Sequence, residues 1–474
     1  MSNDDQRSRI PNLMKIGEIP TDLQVDYDTI PEDPVVNNQS FTRFVLSNRG
    51  FLDSNSKLVL SVSANTASAA AAPLSTLPVG VGINSLIDRV ALRIGTEVVS
   101  EITDFGNWSG YKSMFIDNEI NLERETYLTS RIMNHELLYK DNDGAQSDTS
   151  ASTYGLSTKD EYTMDAGGVT GNLTPQVELR NTNAAEFSIA MADLVPWLRF
   201  NNLPLYMFGD TQISLEIHWT GINSGNRMTT PFSVVTGPPF TIDESVTQFY
   251  ANYIYYPGEI MSRFAEENKE MNWTYTDYRM NKRSYTGADL ETQQLIRIGG
   301  NGRIINKVIT MLENQATTTT ADSQMLNAYS SKYPEDVGDN TQVYTTNLLY
   351  NNLRLYPIDR SSPSIHFHDL VQTEQNVPQV TRGEYSVGDE SLGGLSGDRS
   401  YNDYAQDDIG EGLAGNFFYA GYRLNQNARV NENGITLQVR YGNLDGADTY
   451  IHRSYIELVK TATLRNGQFS TTLA

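Results

Sequence analysis

Two segments of this 474-residue chain recur in the same order, about a domain's length apart. The segment LIDRVALRI at 86–94 aligns without gaps with IINKVITML at 304–312, and Asp-Arg falls on Asn-Lys. Four apolar residues coincide with apolar ones: Leu86, Ile87, Val90 and Ile94 fall on Ile304, Ile305, Val308 and Leu312. The segment TQISLEIHWTG at 211–221 is echoed by YIHRSYIELVK at 450–460. Self-similarity at a long spacing is the signature of a duplicated unit. The repeats therefore predict that one folded unit occurs twice in this chain.

The repeated unit carries the alternation that is typical of β-strands. Apolar and polar residues alternate through 213–219 and again from Phe187 onward, which is the period of a strand with one buried face. Between these strands lies an apolar segment that we interpret as a short helical plug, with Asp193 as its cap, one helical turn through Trp197 and Pro204 as its stop. Each unit is therefore predicted to be all-β, with short helices in its connections.

Length and composition support two β domains. A chain of this size exceeds what one hydrophobic core usually serves, so two domains of about 200–250 residues are expected. The 27 Tyr, 35 Gly and 17 Pro favour strands joined by turns, and the absence of Cys means that burial and hydrogen bonding must stabilise the fold. Long polar segments at 141–176 and 380–412 interrupt the two halves, and such long crossovers between short strands favour Greek-key sandwiches.

These patterns divide the chain into five predicted regions. The boundary between the two units is placed at the stretch rich in Gly, Pro, Ser and Thr that follows the first closing strand. The regions are an N-terminal arm at 1–19, a first sandwich at 20–221, a linker at 222–239, a second sandwich at 240–465 and a C-terminal tail at 466–474.

The formal net charge of −23 argues against a protein whose main task is sequence-specific binding of DNA or RNA, because phosphate binding depends on Lys and Arg displacing counterions. Only the N-terminal arm is mildly basic, at Arg7, Arg9 and Lys15, and a solvated terminus is the simpler interpretation of those residues. The sequence contains no run of about 18 apolar residues, so no transmembrane segment is predicted.

The candidates for a metal or phosphate site are weak. The glycines of IGGNGR at 298–303 lack the lysine of a phosphate-binding loop, which indicates a turn between strands. If their segment is a strand, His366 and His368 share one face, with Asp369 on the other face. A catalytic zinc site uses three protein ligands, so a structural or solvent-exposed role for this pair is the preferred interpretation.

The candidates for acid–base catalysis are equally weak. Asp389 with Glu390, and Asp407 with Asp408, could serve a glycosidase. In a chain with 58 acidic residues, however, such neighbours arise by chance, and these pairs lie in a polar segment. We therefore predict no catalytic, cofactor-binding or metal-binding residues, and a protein that is not an enzyme.

Three longer segments resemble one known family. GINSLIDRVALRIGTEVVSEITDFGNW at 82–108 is similar to the strand pair that follows the first loop in the double jelly-roll major capsid proteins of large eukaryotic DNA viruses, virophages and polinton-like viruses. FSIAMADLVPWLRFNNLPLYMFGDTQISLEIHW at 187–219 resembles the end of their first jelly roll, and DTYIHRSYIELVKTA at 448–462 resembles the final strand of their second.

The resemblance implies two consecutive eight-stranded jelly-roll sandwiches, a double jelly roll, with no catalytic site and no cofactor. It implies that three chains form a pseudo-hexameric capsomer and that capsomers tile an icosahedral shell. The implied partners are two further copies of the chain, neighbouring capsomers, and penton and minor capsid proteins. The implied location is the virion, with assembly inside the host cell. At 474 residues the chain is near the small end of the family, so its surface loops should be modest.

Two other classes of protein share this composition. A carbohydrate-binding or carbohydrate-cleaving double sandwich would have a deep aromatic cleft with carboxylates on opposite walls. A viral adhesin or fibre head is the other alternative. The oligomeric state separates these classes, because only the capsid role requires a specific trimer.

Overall fold

The computed structural model describes part of the chain. The described residues are 25–64, 75–76, 81–113, 115, 128–129, 154–155, 163–164, 178–179, 185–198, 202–220, 240–314, 345–361, 363–375, 419–424, 429–442, 446–447, 449–465 and 467–473. The N-terminal arm at 1–19, the acidic pairs at 389–390 and 407–408, and most of the polar segments 141–176 and 380–412 lie outside these residues.

The first half of the chain consists mainly of strands. They are β1 (Asp26–Glu32), β2 (Pro34–Asn38), β3 (Phe41–Leu46), β4 (Phe51–Leu52), β5 (Lys57–Ala64), β6 (Ser75–Thr76), β7 (Ile87–Ile94), β8 (Glu97–Thr103), β9 (Tyr154–Gly155), β10 (Thr163–Met164), β11 (Glu178–Leu179), β12 (Ala185–Ala190), β13 (Leu203–Pro204), β14 (Ile213–Trp219), β15 (Phe240–Ile242) and β16 (Gln248–Tyr255).

The second half has longer strands. They are β17 (Glu270–Thr286), β18 (Gln294–Gly299), β19 (Ile305–Asn314), β20 (Thr345–Tyr350), β21 (Leu353–Arg354), β22 (Tyr419–Arg423), β23 (Ile435–Arg440), β24 (Thr449–Arg465) and β25 (Gln468–Leu473).

The helices are short connections. They are α1 (Phe105–Ser113), α2 (Met191–Leu194), α3 (Gly258–Glu267), α4 (Gly287–Glu291) and α5 (Pro363–Glu374), with 3-10 turns at Gly82–Leu86, Pro196–Leu198 and Leu205–Phe208. Within the described residues, no helix has the length and apolar character needed to cross a membrane.

Two sheets pack face to face in the first half. Sheet 1 has the order β12-β5-β16-β4-β13, with β1 beside β16 and β15 beside β5, and sheet 2 has the order β2-β3-β14-β7-β8. In β3 the buried Phe44 and Leu46 alternate with less buried residues, which points them into one core. The ring of Phe44 lies 5.9 Å from the ring of Phe249 on β16. Sheets 1 and 2 therefore form the first sandwich.

Two further sheets form the second sandwich. Sheet 3 has the order β17-β24-β19-β22, with β25 beside β24, and sheet 4 has the order β18-β23-β20-β21. Alternate residues of β23, among them Leu437, pack in one cluster with Val308 of β19 and Ile456 of β24. The predicted all-β double sandwich with short helices is confirmed. In the described residues the four main sheets contain seven, five, five and four strands, so the strands are not simply eight in each sandwich.

The internal repeat is preserved in the strand register. In the first sandwich β7 pairs with β14 so that Val90 lies opposite Ile217. In the second, β19 pairs with β24 so that Val308 lies opposite Ile456. The sequence alignment matches Val90 with Val308 and Ile217 with Ile456. The prediction that these segments occupy equivalent strands is confirmed.

The chain passes from one sandwich to the other later than the sequence indicates. β15 pairs with β5, and β16 pairs with β1, β4 and β5, so residues 240–255 belong to sheet 1. The connection is α3, whose buried Phe264 packs its ring 5.5 Å from that of Phe51 on β4. The predicted start of the second sandwich at residue 240 does not match this pairing, and the predicted linker at 222–239 lies outside the described residues. The predicted N-terminal arm at 1–19 and the predicted start of the first sandwich at residue 20 stay predictions.

Three smaller expectations are also corrected. The predicted plug consists of α2 and the turn at 196–198, but its N-cap is Ala190, and Asp193 lies inside the helix. Pro204 lies in β13, opposite Phe51 of β4. The segment predicted as a C-terminal tail contains β25, which pairs along β24 and extends sheet 3.

Candidate functional site: the seam between the two sandwiches

The two sandwiches meet where β8, the last strand of sheet 2, lies beside β17 and β24 of sheet 3. The hydroxyl of Tyr275 donates to the main-chain oxygen of Val99 at 2.7 Å, and Lys460 donates to the same oxygen at 3.4 Å. Asp277 accepts from the Ser100 hydroxyl at 3.1 Å and from the main-chain N–H of Glu101 at 3.4 Å. Side chains of the second sandwich thus bind the edge strand of the first. An edge strand covered in this way is protected from pairing with another chain.

Buried ion pairs reinforce this seam. Asp277 of β17 is paired with Lys460 of β24, and both side chains are buried. Burial raises the pKa of the Asp277 carboxyl, and the neighbouring Lys460 ammonium opposes that rise. Because a buried charge is expensive unless it is paired, this pair requires the two strands to keep their relative position.

A second ion pair joins the sandwiches directly. Asp104, which follows β8, accepts from the guanidinium of Arg453 on β24, and the Arg453 side chain is 1% exposed. The hydroxyl of Tyr455 donates to the main-chain oxygen of Asp104 at 3.0 Å. Asp104 has a φ of 53°, a left-handed conformation that Asp tolerates better than most residues. The first sandwich therefore presents a carboxylate in a fixed direction to the second.

A third group of residues joins helix α1 of the first sandwich to α5 of the second; we call it the Glu374 cluster. Glu374 accepts from Tyr111 at 2.7 Å, from Lys112 at 3.0 Å and from Lys307 at 2.8 Å. Lys307 also lies 3.3 Å from Glu457. Two carboxylates thus share two ammonium groups across the seam.

The charges of the Glu374 cluster stabilise one another. Burial by itself would raise the pKa of Glu374, but the Lys112 and Lys307 ammonium groups outweigh burial and lower that pKa to about 2. Burial would likewise lower the pKa of Lys307, but the Glu457 and Glu374 carboxylates outweigh it and raise that pKa. Both residues are therefore charged at neutral pH.

Acid is expected to weaken the seam through Glu374. An unfolded glutamate titrates near 4.5, so between pH 4.5 and about 2 the unfolded chain binds more protons at this position than the folded chain. The stabilisation, about 3 kcal/mol, should be present above pH 4.5 and lost as the pH falls toward 2. Urea unfolding of the wild type and of Glu374→Gln across this range measures it.

The difference in unfolding free energy between these two proteins should shrink as the pH falls. Glu270→Gln is the matched control, because Glu270 forms an exposed ion pair at 3.9 Å with Arg465 and should contribute less than about 1 kcal/mol at any pH. A difference for Glu374→Gln that stays constant from neutral pH to pH 3 would contradict the assigned role of Glu374.

The residues that the sequence singled out for chemistry are not brought together. His366 and His368 lie on helix α5 rather than on a strand, so they point to roughly opposite sides; His366 is buried and His368 is exposed. Asp369 forms an ion pair with Arg360 at 3.0 Å. Among the described residues, no group of three or more potential metal ligands occurs. Residues 298–303 contain the end of β18 and most of the turn between β18 and β19, as the sequence indicates.

The seam residues were missed at the sequence level, although a signal was present. Arg453, Glu457 and Lys460 interrupt the apolar echo strand at 450–460. Charged residues within a strand are usually interpreted as its solvent-facing side. Here β24 is buried on both sides, and all three charges are buried. A long strand with charges at otherwise apolar positions is the pattern that could have indicated an internal interface.

Comparison with known proteins identifies the fold. No family model and no curated protein matches the chain. Among solved structures, PBCV-1 VP54, fitted into a reconstruction of the virophage Sputnik, has a TM-score of 0.56 at 11% identity, covering 97% of this chain and 99% of that one. A structure of the Sputnik virophage gives 0.54 at 11% identity, covering 97% and 90%. The Faustovirus major capsid protein gives 0.50 at 10% identity, covering 97% and 94%. The chain therefore has the all-β double jelly-roll fold of these viral capsid structures.

Proposed function

We propose that this chain is the major capsid protein of an icosahedral DNA virus, and that three copies form a pseudo-hexameric capsomer. The proposal is supported by the shared fold, which the PBCV-1 virus capsid structure also has, with a TM-score of 0.54 over 97% of this chain. The observation that carries it is the seam, which holds two sandwiches of like architecture side by side.

A fixed seam suits a lattice subunit for a geometric reason. A chain with two like sandwiches presents two similar sides, so three chains around one axis present six. The angle between the sandwiches of each chain then determines how closely these six sides approach a regular hexagon. Buried ion pairs stabilise one such angle, because any other arrangement would leave charges unpaired in a low-dielectric environment.

The proposed role requires neither catalysis nor a cofactor. The partners are two further copies of the chain, neighbouring capsomers, and penton and minor capsid proteins. The location is the capsid shell of the virion, with assembly inside the host cell. The net charge of −23 would keep free capsomers apart until specific contacts form.

Light scattering coupled to size exclusion tests the trimer. At micromolar concentration and moderate salt, the protein should elute as one species of about 160 kDa, three times the 53.0 kDa of one chain. A monomer that persists under these conditions would contradict the proposal that the chain forms a capsomer. It would favour the two alternatives, a viral adhesin or a carbohydrate-binding protein.

A further inference from the structure

Asparagine followed by glycine is a chemically labile pair. Glycine has no side chain to keep its main-chain nitrogen away from the asparagine amide, so that nitrogen can attack the amide carbon. The chain contains three such pairs, at 301–302, 433–434 and 466–467. The first lies in the turn between β18 and β19, and the second lies in the turn that precedes β23. Both members of each of these two pairs are described, so the structure shows how each pair is restrained.

The first pair is held by the loop that carries the second. The side-chain amide of Asn301 donates to the main-chain oxygen of Glu432 at 2.5 Å. The main-chain N–H of Gly302, whose nitrogen would have to attack that amide, donates to the main-chain oxygen of Val430 at 2.8 Å. Both reacting groups are therefore engaged with another loop, and they are released only when the two loops separate.

In the described residues, the reacting groups of the second pair are held only by their own turn. Asn433 is exposed, and within this part of the chain its side-chain amide takes part in no hydrogen bond. Gly434, at a φ of 72°, donates its main-chain N–H to the main-chain oxygen of Asn431 at 3.1 Å, which closes a four-residue turn. Opening of that turn alone frees the attacking nitrogen, without separation of the two loops.

We propose that Asn433 is a site of spontaneous deamidation in the folded protein, and that the neighbouring loop protects Asn301 from the same reaction. The main-chain nitrogen of Gly434 loses its proton to water and bonds to Cγ of Asn433, and the side-chain nitrogen leaves as ammonia. Water then opens the five-membered succinimide. Breaking the new bond from Cγ to nitrogen gives aspartate, whereas breaking the original main-chain bond gives isoaspartate, in which the main chain runs through the side chain.

Isoaspartate at this position does not fit the loop as it is packed. Gly434 lies so close to β18 that a side-chain carbon there would be 2.8 Å from the main-chain oxygen of Gly299. On the other side of Asn433, the main-chain oxygen of Glu432 accepts from the guanidinium of Arg297 at 3.0 Å. Isoaspartate lengthens the main chain by one carbon between these two anchored residues. The reaction should therefore loosen the turn before β23 from β18 and add a negative charge beside it.

Ageing of the folded protein in mildly alkaline buffer tests the site, with peptide mass spectrometry as the readout. Cleavage after arginine places the three pairs on three separate peptides. The peptide with Asn433 should gain the mass of an –NH₂ to –OH exchange at least about ten times faster than the peptide with Asn301. Fragmentation that distinguishes isoaspartate from aspartate should find both products at residue 433. In urea the two asparagines should react at similar rates, because both precede glycine and neither is then held.

Either of two results would overturn the inference. The first is that Asn433 stays intact in the folded protein over the time in which it reacts in urea, which would mean that its own turn is sufficient protection. The second is that Asn301 reacts as fast as Asn433 in the folded protein, which would mean that the hydrogen bonds to Glu432 and Val430 do not protect it.

Thermal unfolding measures the consequence for the loop. Aged wild type should unfold at a lower temperature than fresh wild type. Asn433→Gln keeps an amide but forms a cyclic intermediate far more slowly, so its unfolding temperature should not change on ageing. Fresh Asn433→Asp carries the added charge on a main chain of normal length and should unfold close to fresh wild type. An unchanged unfolding temperature after conversion of residue 433 would contradict the effect assigned to isoaspartate. The reaction occurs within one chain, so these tests do not depend on the proposed trimer.

Discussion

Replacement of Val90 by aspartate is expected to leave no folded chain in the soluble fraction. Val90 is 2% exposed and lies in β7 between Ile217 of β14 and Ile102 of β8. An unpaired charge at this place costs several kcal/mol, against a total stability of about 5–15 kcal/mol for a typical domain. Soluble yield and the circular dichroism of the purified protein measure the effect.

Thr96→Asp is the matched control, since Thr96 is exposed in the turn between the same two strands. We expect Thr96→Asp to fold normally, and small insertions at 141–176 or 380–412 to keep a normal yield. Equal yields for Val90→Asp and Thr96→Asp would show that the core of the first sandwich has been placed on the wrong side of β7.

Asp104→Asn is expected to destabilise the chain by about 3 kcal/mol, because it removes the carboxylate charge opposite the buried Arg453 guanidinium. Asparagine keeps the shape of the side chain and tolerates the left-handed backbone at this position, so the effect reports the lost charge rather than strain. Urea unfolding with one well-defined transition gives the free energy.

Glu270→Gln is the matched control for this substitution as well. Its ion pair with Arg465 is exposed and spans 3.9 Å, so its loss should cost less than about 1 kcal/mol. If Asp104→Asn costs no more than Glu270→Gln, the Asp104–Arg453 pair does not hold the sandwiches together and the seam depends on apolar packing instead.

The sequence was informative where neighbouring residues determine the structure. The alternation in 213–219 predicts β14, and the two echoes predict both the duplication and the register that places Val90 opposite Ile217. These features are local or are repeated in the chain, so that pattern alone detects them.

The sequence did not predict features that depend on pairing between segments far apart in the chain. β16 is strongly alternating, but nothing local shows that it pairs with β1 and β5 rather than with a later strand. The Gly- and Pro-rich stretch at 222–239 was therefore interpreted as the linker, whereas in the described residues helix α3 connects β16 of sheet 1 to β17 of sheet 3. The histidine pair of helix α5 was likewise considered on the assumption of a strand, because so short an apolar segment does not distinguish a strand from a helix.

The buried ion pairs of the seam were not predicted for a different reason. Arg453 and Lys460 are stabilised by Asp104 and Asp277, which lie far away in the sequence. Their burial follows from the docking of two complete sandwiches. Charges at otherwise apolar positions of β24 can indicate an internal interface, but the strand's own pattern does not show which distant carboxylates they contact.

Electron microscopy of the purified chain tests the central claim most directly. Averaged images of single particles should show a three-fold assembly with six lobes, two from each chain, since the seam keeps the two sandwiches of each chain side by side. Isolated two-lobed particles, or two-fold dimers, at the same micromolar concentration would contradict the claim that this double jelly roll is the subunit of a capsomer.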